Sequence, residues 1–193
     1  SARMDTFRQG GESLAGRYYN WRLHPFSVRE LVETNDLSAE QALARLLERG
    51  GFPEPCLADN AVEADRWRAQ YSTDLIREDG LDFSRVYEGP TPQLMFTTLR
   101  ERVGSPIKVS SLAQALQISP TTAARYLDIL EALYIVFRVT PWHRDVSRSL
   151  LEEGKVYFLD TGLVIGDAGA RLENAVAAML LKHCHHRQDA EGK

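Results

Sequence analysis

Apolar positions recur at helical spacing through most of the chain and switch to alternation in one region. The clearest run lies between Val109 and Asp160. Leu112, Ala115 and Leu116 share a helix face, and Ser111 with Gln114 predicts a capping box, each side chain satisfying an open backbone N–H. The chain then turns through Gln117, Ile118 and Ser119. Ser119 suits the N-cap of a second helix, with Pro120 at its first position, where the missing N–H costs nothing. That helix carries Ala123, Leu127, Leu130 and Tyr134 on one face and Thr121, Thr122, Arg125 and Asp128 on another. Beyond it the period becomes two: Ile135, Phe137 and Val139 on one side, Val136 and Arg138 on the other. A polar loop runs from Pro141 to Gly154, and Lys155–Leu159 alternates again. Helix, turn, helix, strand, long loop, strand is the order of a winged helix-turn-helix.

Upstream, Tyr18–Leu23 reads as a short strand after Gly10, Gly11 and Gly16. Two further capping boxes, Ser27/Glu30 and Ser38/Gln41, start helices with Val28, Leu31 and Val32, then Leu43, Leu46 and Leu47, inward. Gly50 stops the second helix, and GGFPEP reads as a rigid turn. Ala61 to Glu78 is a longer helix with Ala64, Trp67, Tyr71 and Leu75 on one face. Thr91 caps another, with Met95, Leu99 and Val103 inward and Gly104 at its end. A last helix spans about Ala170 to His186, with Leu172, Val176, Met179 and Leu180 inward. The expected class is mainly α with a small β-wing (α+β).

At 193 residues, with 44% hydrophobic and 26% charged positions, the chain fits one domain or two small ones. A formal charge of −4 argues against non-specific coating of nucleic acid but leaves room for a local basic face. Cys56 and Cys184 form no CxxC pair. No apolar run approaches the ~18 residues of a membrane span, and no signal peptide is visible, so the expectation is a cytoplasmic protein without membrane contact. The lack of an initiator context and a last helix with no partner element suggest a piece of a longer protein.

In order and spacing, SLAGRYYNWRLHPFS, GGFPEP, the Trp67–Tyr71–Leu75 helix, SPTTAARYLDILEALYIVFRV and KVYFLDTGL followed by LENAV resemble the prokaryotic AAA+-type ATPases that carry a C-terminal domain of unknown function (winged helix plus restriction-endonuclease-like region). The resemblance covers the C-terminal half of such proteins. It implies a remnant of the nucleotide-binding core at 1–26, a helical lid-like bundle at 27–88, a winged helix-turn-helix at 89–162 and the start of a truncated C-terminal domain at 163–193. The phosphate-binding loop and Mg²⁺-binding acidic strand would lie upstream of Ser1. ATP and Mg²⁺ then belong to the intact protein, and this chain has no complete catalytic centre. Of a nuclease centre only Glu173 would remain. Arg17 is the candidate nucleotide-sensing or arginine-finger residue, where a guanidinium would neutralise a transferring phosphoryl group; the alternative is a surface arginine at a strand start.

For DNA, a recognition helix would present Thr121, Thr122 and Arg125 to base edges, and the wing would bring His143, Arg144, Arg148 and Lys155 to phosphate. Asp128, Glu131, Glu152 and Glu153 oppose it, so a protein partner stands beside DNA, as does a free-standing winged-helix module with no ATPase connection. Asp160-Thr161-Gly162 imitates one half of an aspartic-protease site, against the simpler reading that Asp160 caps the next segment. His183, Cys184, His185 and His186 are a zinc-ligand cluster in composition alone, since only 183 and 186 share a helix face. Trp67, Tyr71 and Tyr126 sit at core spacing. The orphan helix and missing core would leave apolar surface for a homo-oligomer.

Overall fold

The computed structural model describes residues 21–77, 91–142 and 153–192. Within them eight α-helices accompany one two-stranded antiparallel sheet, so the chain is mainly α with a small β component. The helices are α1 Val28–Asn35, α2 Ala39–Arg49, α3 Pro53–Leu57, α4 Ala61–Arg77, α5 Thr91–Glu101, α6 Val109–Ala115, α7 Pro120–Ala132 and α8 Ala168–Glu191. Strands β1 Val136–Val139 and β2 Lys155–Phe158 lie between α7 and α8, followed by a 3₁₀ turn, Thr161–Leu163.

Both upstream capping boxes form. Glu30 accepts the Ser27 N–H at 2.8 Å and Gln41 accepts that of Ser38 at 2.9 Å, while each serine hydroxyl accepts in return. Gly50 ends α2 at φ +83°, its N–H donating to the Leu46 carbonyl. A small core gathers Leu31, Ala42, Leu46 and Cys56; Val32 faces outward, because an eight-residue helix buries one narrow stripe. The GGFPEP stretch is not a plain turn. Pro53 takes the first helical position and starts α3. Trp21–Leu23 is irregular, and the rest of the expected strand lies outside the described residues, as do the side chains of Leu75 and Thr91.

The larger core joins Met95, Phe96 and Leu99 of α5 with Leu112 of α6, Tyr126, Leu127 and Leu130 of α7, and the sheet. Helix α6 starts earlier than expected, with Lys108 at its N-cap, so Ser111 is already helical and its capping box with Gln114 does not form. That shift turns Ala113 inward and Ala115 outward. Gln117 makes the turn at φ +55°, and Ser119 caps α7 by accepting the Thr122 N–H at 3.0 Å, with Pro120 next. Tyr134 leaves the core face because the chain reverses there at φ +56°, which exposes its ring.

The strands pair Val136 with Phe158 and Val139 with Lys155. The expected alternation is overridden: Val136 and Phe137 are both buried, and so are Val156 to Leu159. Phe96 meets Phe158 edge-on at 5.7 Å, and α8 packs along β2. Asn174 of α8 takes the place of a third strand: its carbonyl accepts the Phe158 N–H at 2.8 Å and its amide donates to the Phe158 carbonyl at 3.0 Å. Replacing Asn174 by alanine leaves both buried groups unpaired, and a loss of about 2–4 kcal/mol is expected in urea unfolding.

Helix α8 is longer than expected and turned over. Asn174 and Ala175 are buried and Ala178 and Leu181 pack inward, whereas Leu172, Val176 and Leu180 are 43%, 45% and 61% exposed. No helix among the described residues is long and apolar enough to cross a membrane.

Candidate functional site

The amino-terminal half of α7 is held from behind and open in front. Ala123, Tyr126, Leu127 and Leu130 anchor it in the core, while Thr121 and Arg125 are exposed and Thr122 is half-buried against the Ser119 cap. The acids further along α7 are not free. Arg138 of β1 donates to Asp128 at 2.8 Å and binds Glu131 closely, so one of their two negative charges is offset within the fold. Among the described residues Arg125 has no acidic partner. Of the candidate DNA contacts, Thr121, Thr122 and Arg125 therefore share one surface. Lys155 does not join them freely: its ammonium donates to Glu173 at 2.9 Å, and the Tyr157 hydroxyl donates to the same oxygen at 2.8 Å. These two bonds hold the Glu173 carboxyl below the usual range. Arg17, His143, Arg144 and Arg148 lie outside the described residues.

A second constellation joins sequence stretches a hundred residues apart. The Asp160 carboxylate, fully buried, accepts the Gly51 N–H at 2.5 Å and the Phe52 N–H at 3.2 Å. It thus caps the entry to α3 and not the turn that follows it, which corrects the expectation from sequence. Its other oxygen lies against Gly162 without completing a hydrogen bond of good geometry. Around this joint, arginines satisfy carbonyls that helix ends leave open. Arg68 donates to the Arg49 carbonyl at 2.7 Å, Arg171 to that of Leu47 at 3.1 Å, and Arg100 to that of Leu163 at 2.6 Å. Burial pushes the Asp160 carboxyl up to about 6, against the pull of the two N–H donors and Arg68. A buried, backbone-bonded carboxylate cannot reach a peptide substrate, so the Asp-Thr-Gly sequence is a structural joint.

A third cluster straps residues 21–26 to the end of α8. Arg22 grips Asp189, with one terminal nitrogen at 2.5 Å, and donates to Gln188 at 2.9 Å. His24 Nε2 and His185 Nδ1 share a hydrogen bond of 2.8 Å, Trp21 meets the His186 ring at 6.3 Å, and Lys182 donates to the Pro25 carbonyl at 2.9 Å. Two of the histidines read as metal candidates thus face this arm. Among the described residues no three metal-ligating side chains gather. Burial, then repulsion from His185, pulls His24 down to about 4.

The two shifts act oppositely on stability. Asp160, raised from 3.8, stabilises the fold most below 3.8, and that contribution is lost as pH rises through about 6. His24, lowered from 6.5, contributes above 6.5 and loses it as pH falls through about 4. Asp160→Asn removes the first effect only. Its urea midpoint should therefore fall more steeply than that of the wild type between pH 6.5 and 4; parallel curves would show that Asp160 ionises normally.

Sequence reasoning found the α7 surface because its pattern is local. It missed the Asp160 joint, because the bond from the Gly51 N–H to Asp160 joins residues 109 apart and leaves no local pattern.

The described geometry can be set beside known proteins. The chain is 30% identical over 164 residues to Uncharacterized protein Rv2008c of Mycobacterium tuberculosis (strain ATCC 25618 / H37Rv), covering 85% of this chain and 36% of that protein. Uncharacterized protein Mb2031c of Mycobacterium bovis (strain ATCC BAA-935 / AF2122/97) matches with the same figures. An Uncharacterized protein of Haemophilus influenzae (strain ATCC 51907 / DSM 11121 / KW20 / Rd) is 25% identical over 186 residues, 88% of this chain and 46% of its own length. The chain thus spans between about a third and a half of the length of these relatives. No solved structure matches it. A family model described as a domain of unknown function, DUF8612, matches residues 40–172, a span that includes the α7 surface and the Asp160 joint, and the chain belongs to that family.

Proposed function

We propose that this chain is the lid and winged-helix portion of a AAA+-type ATP-binding protein, coupling nucleotide state to duplex DNA. In this reading α1 to α4 form the lid, α5 to β2 the winged helix-turn-helix, and ATP with Mg²⁺ binds the intact protein upstream. The observation that carries the partner-binding role is the open front of α7. Thr121 and Arg125 are exposed on a helix whose back is fixed in the core, and the neighbouring acids are engaged by Arg138. A recognition helix reads bases with its amino-terminal residues, and an arginine there can donate a bidentate pair to guanine. The Asp160 joint supports the coupling, since it bonds the α2–α3 corner to the end of β2. A protein partner is favoured instead by one observation: Lys155 and Lys108 are already paired with Glu173 and Glu153.

Fluorescence anisotropy on a labelled duplex at low salt tests the reading. Arg125→Ala should weaken binding roughly five- to twentyfold, the worth of one such contact at the lower end of its range. Equal binding by variant and wild type would remove α7 from the interface.

A further inference from the structure

The arm at 21–26 and the last turns of α8 bring two imidazoles together from positions 161 residues apart. His24 Nε2 lies 2.8 Å from His185 Nδ1, the ring centres are 4.9 Å apart and the planes cross at 52°. Both residues are half-buried, so water still reaches them. The pair is also held from outside. Arg22, two residues before His24, grips Asp189, and Pro25, the residue after it, gives its carbonyl to Lys182 at 2.9 Å. Both tethers end on α8, one on each side of His185 in sequence, so the His24 backbone is fixed over its partner. Such preorganisation lowers the cost of binding a ligand between the two. The cations beside the rings each have an acid of their own: Arg22 pairs with Asp189 and Lys182 with Glu30.

We propose that His24 and His185 chelate a divalent transition metal, Cu²⁺ or Ni²⁺ by preference, through Nε2 and Nδ1. In the hydrogen-bonded pair one ring donates and the other accepts. To take a metal, the donor ring moves its proton to its other nitrogen, so both facing nitrogens offer lone pairs and both rings stay neutral. Small turns of the rings aim the two lone pairs at the ion, and water fills its remaining positions. Spacing selects the metal. At a metal–nitrogen length of about 2.0–2.1 Å, nitrogens 2.8 Å apart subtend about 85° at the ion. That is close to the cis angle of square-planar or tetragonal coordination, which Cu²⁺ and Ni²⁺ adopt with nitrogen and oxygen ligands. A tetrahedral Zn²⁺ would need the nitrogens roughly 3.3 Å apart, and the tethers at Arg22 and Pro25 resist that opening. Mg²⁺ and Ca²⁺ take oxygen ligands and gain nothing from two imidazoles.

Titration of the full chain with Cu²⁺, read by electron paramagnetic resonance and by calorimetry, tests this. Every protein carries Cys184→Ser, because that exposed thiol is itself a metal ligand. The parent should bind one Cu²⁺ tightly, with nitrogen couplings from two imidazoles in its spectrum. His24→Gln and His185→Gln should each weaken that site by at least about tenfold, since losing even an outer-shell partner costs a metal site about 10–100-fold. His183→Gln/His186→Gln, which removes the neighbouring histidines of α8, should leave it unchanged. Cu²⁺ should raise the melting temperature of the parent and of this double variant, but not of the other two. In calorimetry Ni²⁺ should bind at least as tightly as Zn²⁺, and Mg²⁺ should give no heat. A parent that takes up no Cu²⁺ overturns the proposal. So does a His24→Gln variant that binds as tightly as the parent, a site lost with His183 and His186, or Zn²⁺ binding tighter than Ni²⁺.

Discussion

Asp160→Ala is expected to lower the unfolding free energy at pH 7 by about 2–4 kcal/mol, and Asp160→Asn by less than half as much. The alanine variant strands the Gly51 and Phe52 N–H groups in a fully buried place, and each unpaired donor costs about 1–3 kcal/mol. Against this loss, alanine removes a carboxylate whose ionised form is disfavoured by burial, which returns part of the cost. Asparagine also removes the charge but keeps an acceptor for both N–H groups. The expected order at neutral pH therefore places the wild type and the asparagine variant close together, with the alanine variant well below. Urea unfolding of the three proteins checks it. An alanine variant as stable as wild type would mean that the α2–α3 corner needs no cap from β2.

The second large effect is expected at Gly50. A Cβ there would lie 2.5 Å from one Asp160 carboxylate oxygen and 2.8 Å from the Gly162 nitrogen, and the residue sits at φ +83°. With ψ −179° its backbone lies in a region essentially reserved for glycine, where strain costs about 1–3 kcal/mol; displacing a buried carboxylate adds the loss of its bonds. Gly50→Ala should therefore cost about 3–5 kcal/mol, at the severe end for a single methyl. Gly192 makes a contrast: it is left-handed helical at φ +66°, ψ +25° with nothing within 4 Å, so Gly192→Ala should show only the cost of that conformation, about 1–2 kcal/mol. Made in the Asp160→Ala background, Gly50→Ala should cost markedly less, since its main obstacle is gone. Strict additivity would show that the two residues do not meet.

What could be read from the sequence was the local part of the fold. Ser27/Glu30, Ser38/Gln41 and Ser119-Pro120 each write a helix start within four residues, and all three starts form. Apolar spacing placed Met95, Leu99 and Val103 in the core for the same reason. Where an element's environment is set from far away, the pattern misled. Val156 to Leu159 is buried throughout because helices and Asn174 surround β2, which periodicity cannot reveal. On α8 the stripe was real but its direction was not legible: two faces carry apolar residues, and the polar anchors at Arg22, His24 and Glu30 decide which turns inward. At the candidate site, Thr121 and Arg125 were legible from one helix. The engagement of Lys155 by Glu173 and of Asp128 by Arg138 required the tertiary fold.

The functional account rests on α7 meeting nucleic acid, and the salt dependence of duplex binding by the wild-type chain tests this most directly. Contacts to phosphate release counterions, so the logarithm of the binding constant should fall linearly with the logarithm of salt concentration. The account predicts measurable anisotropy at low salt that declines in this way. Absence of binding even at the lowest salt would contradict it and assign the α7 surface to a protein partner.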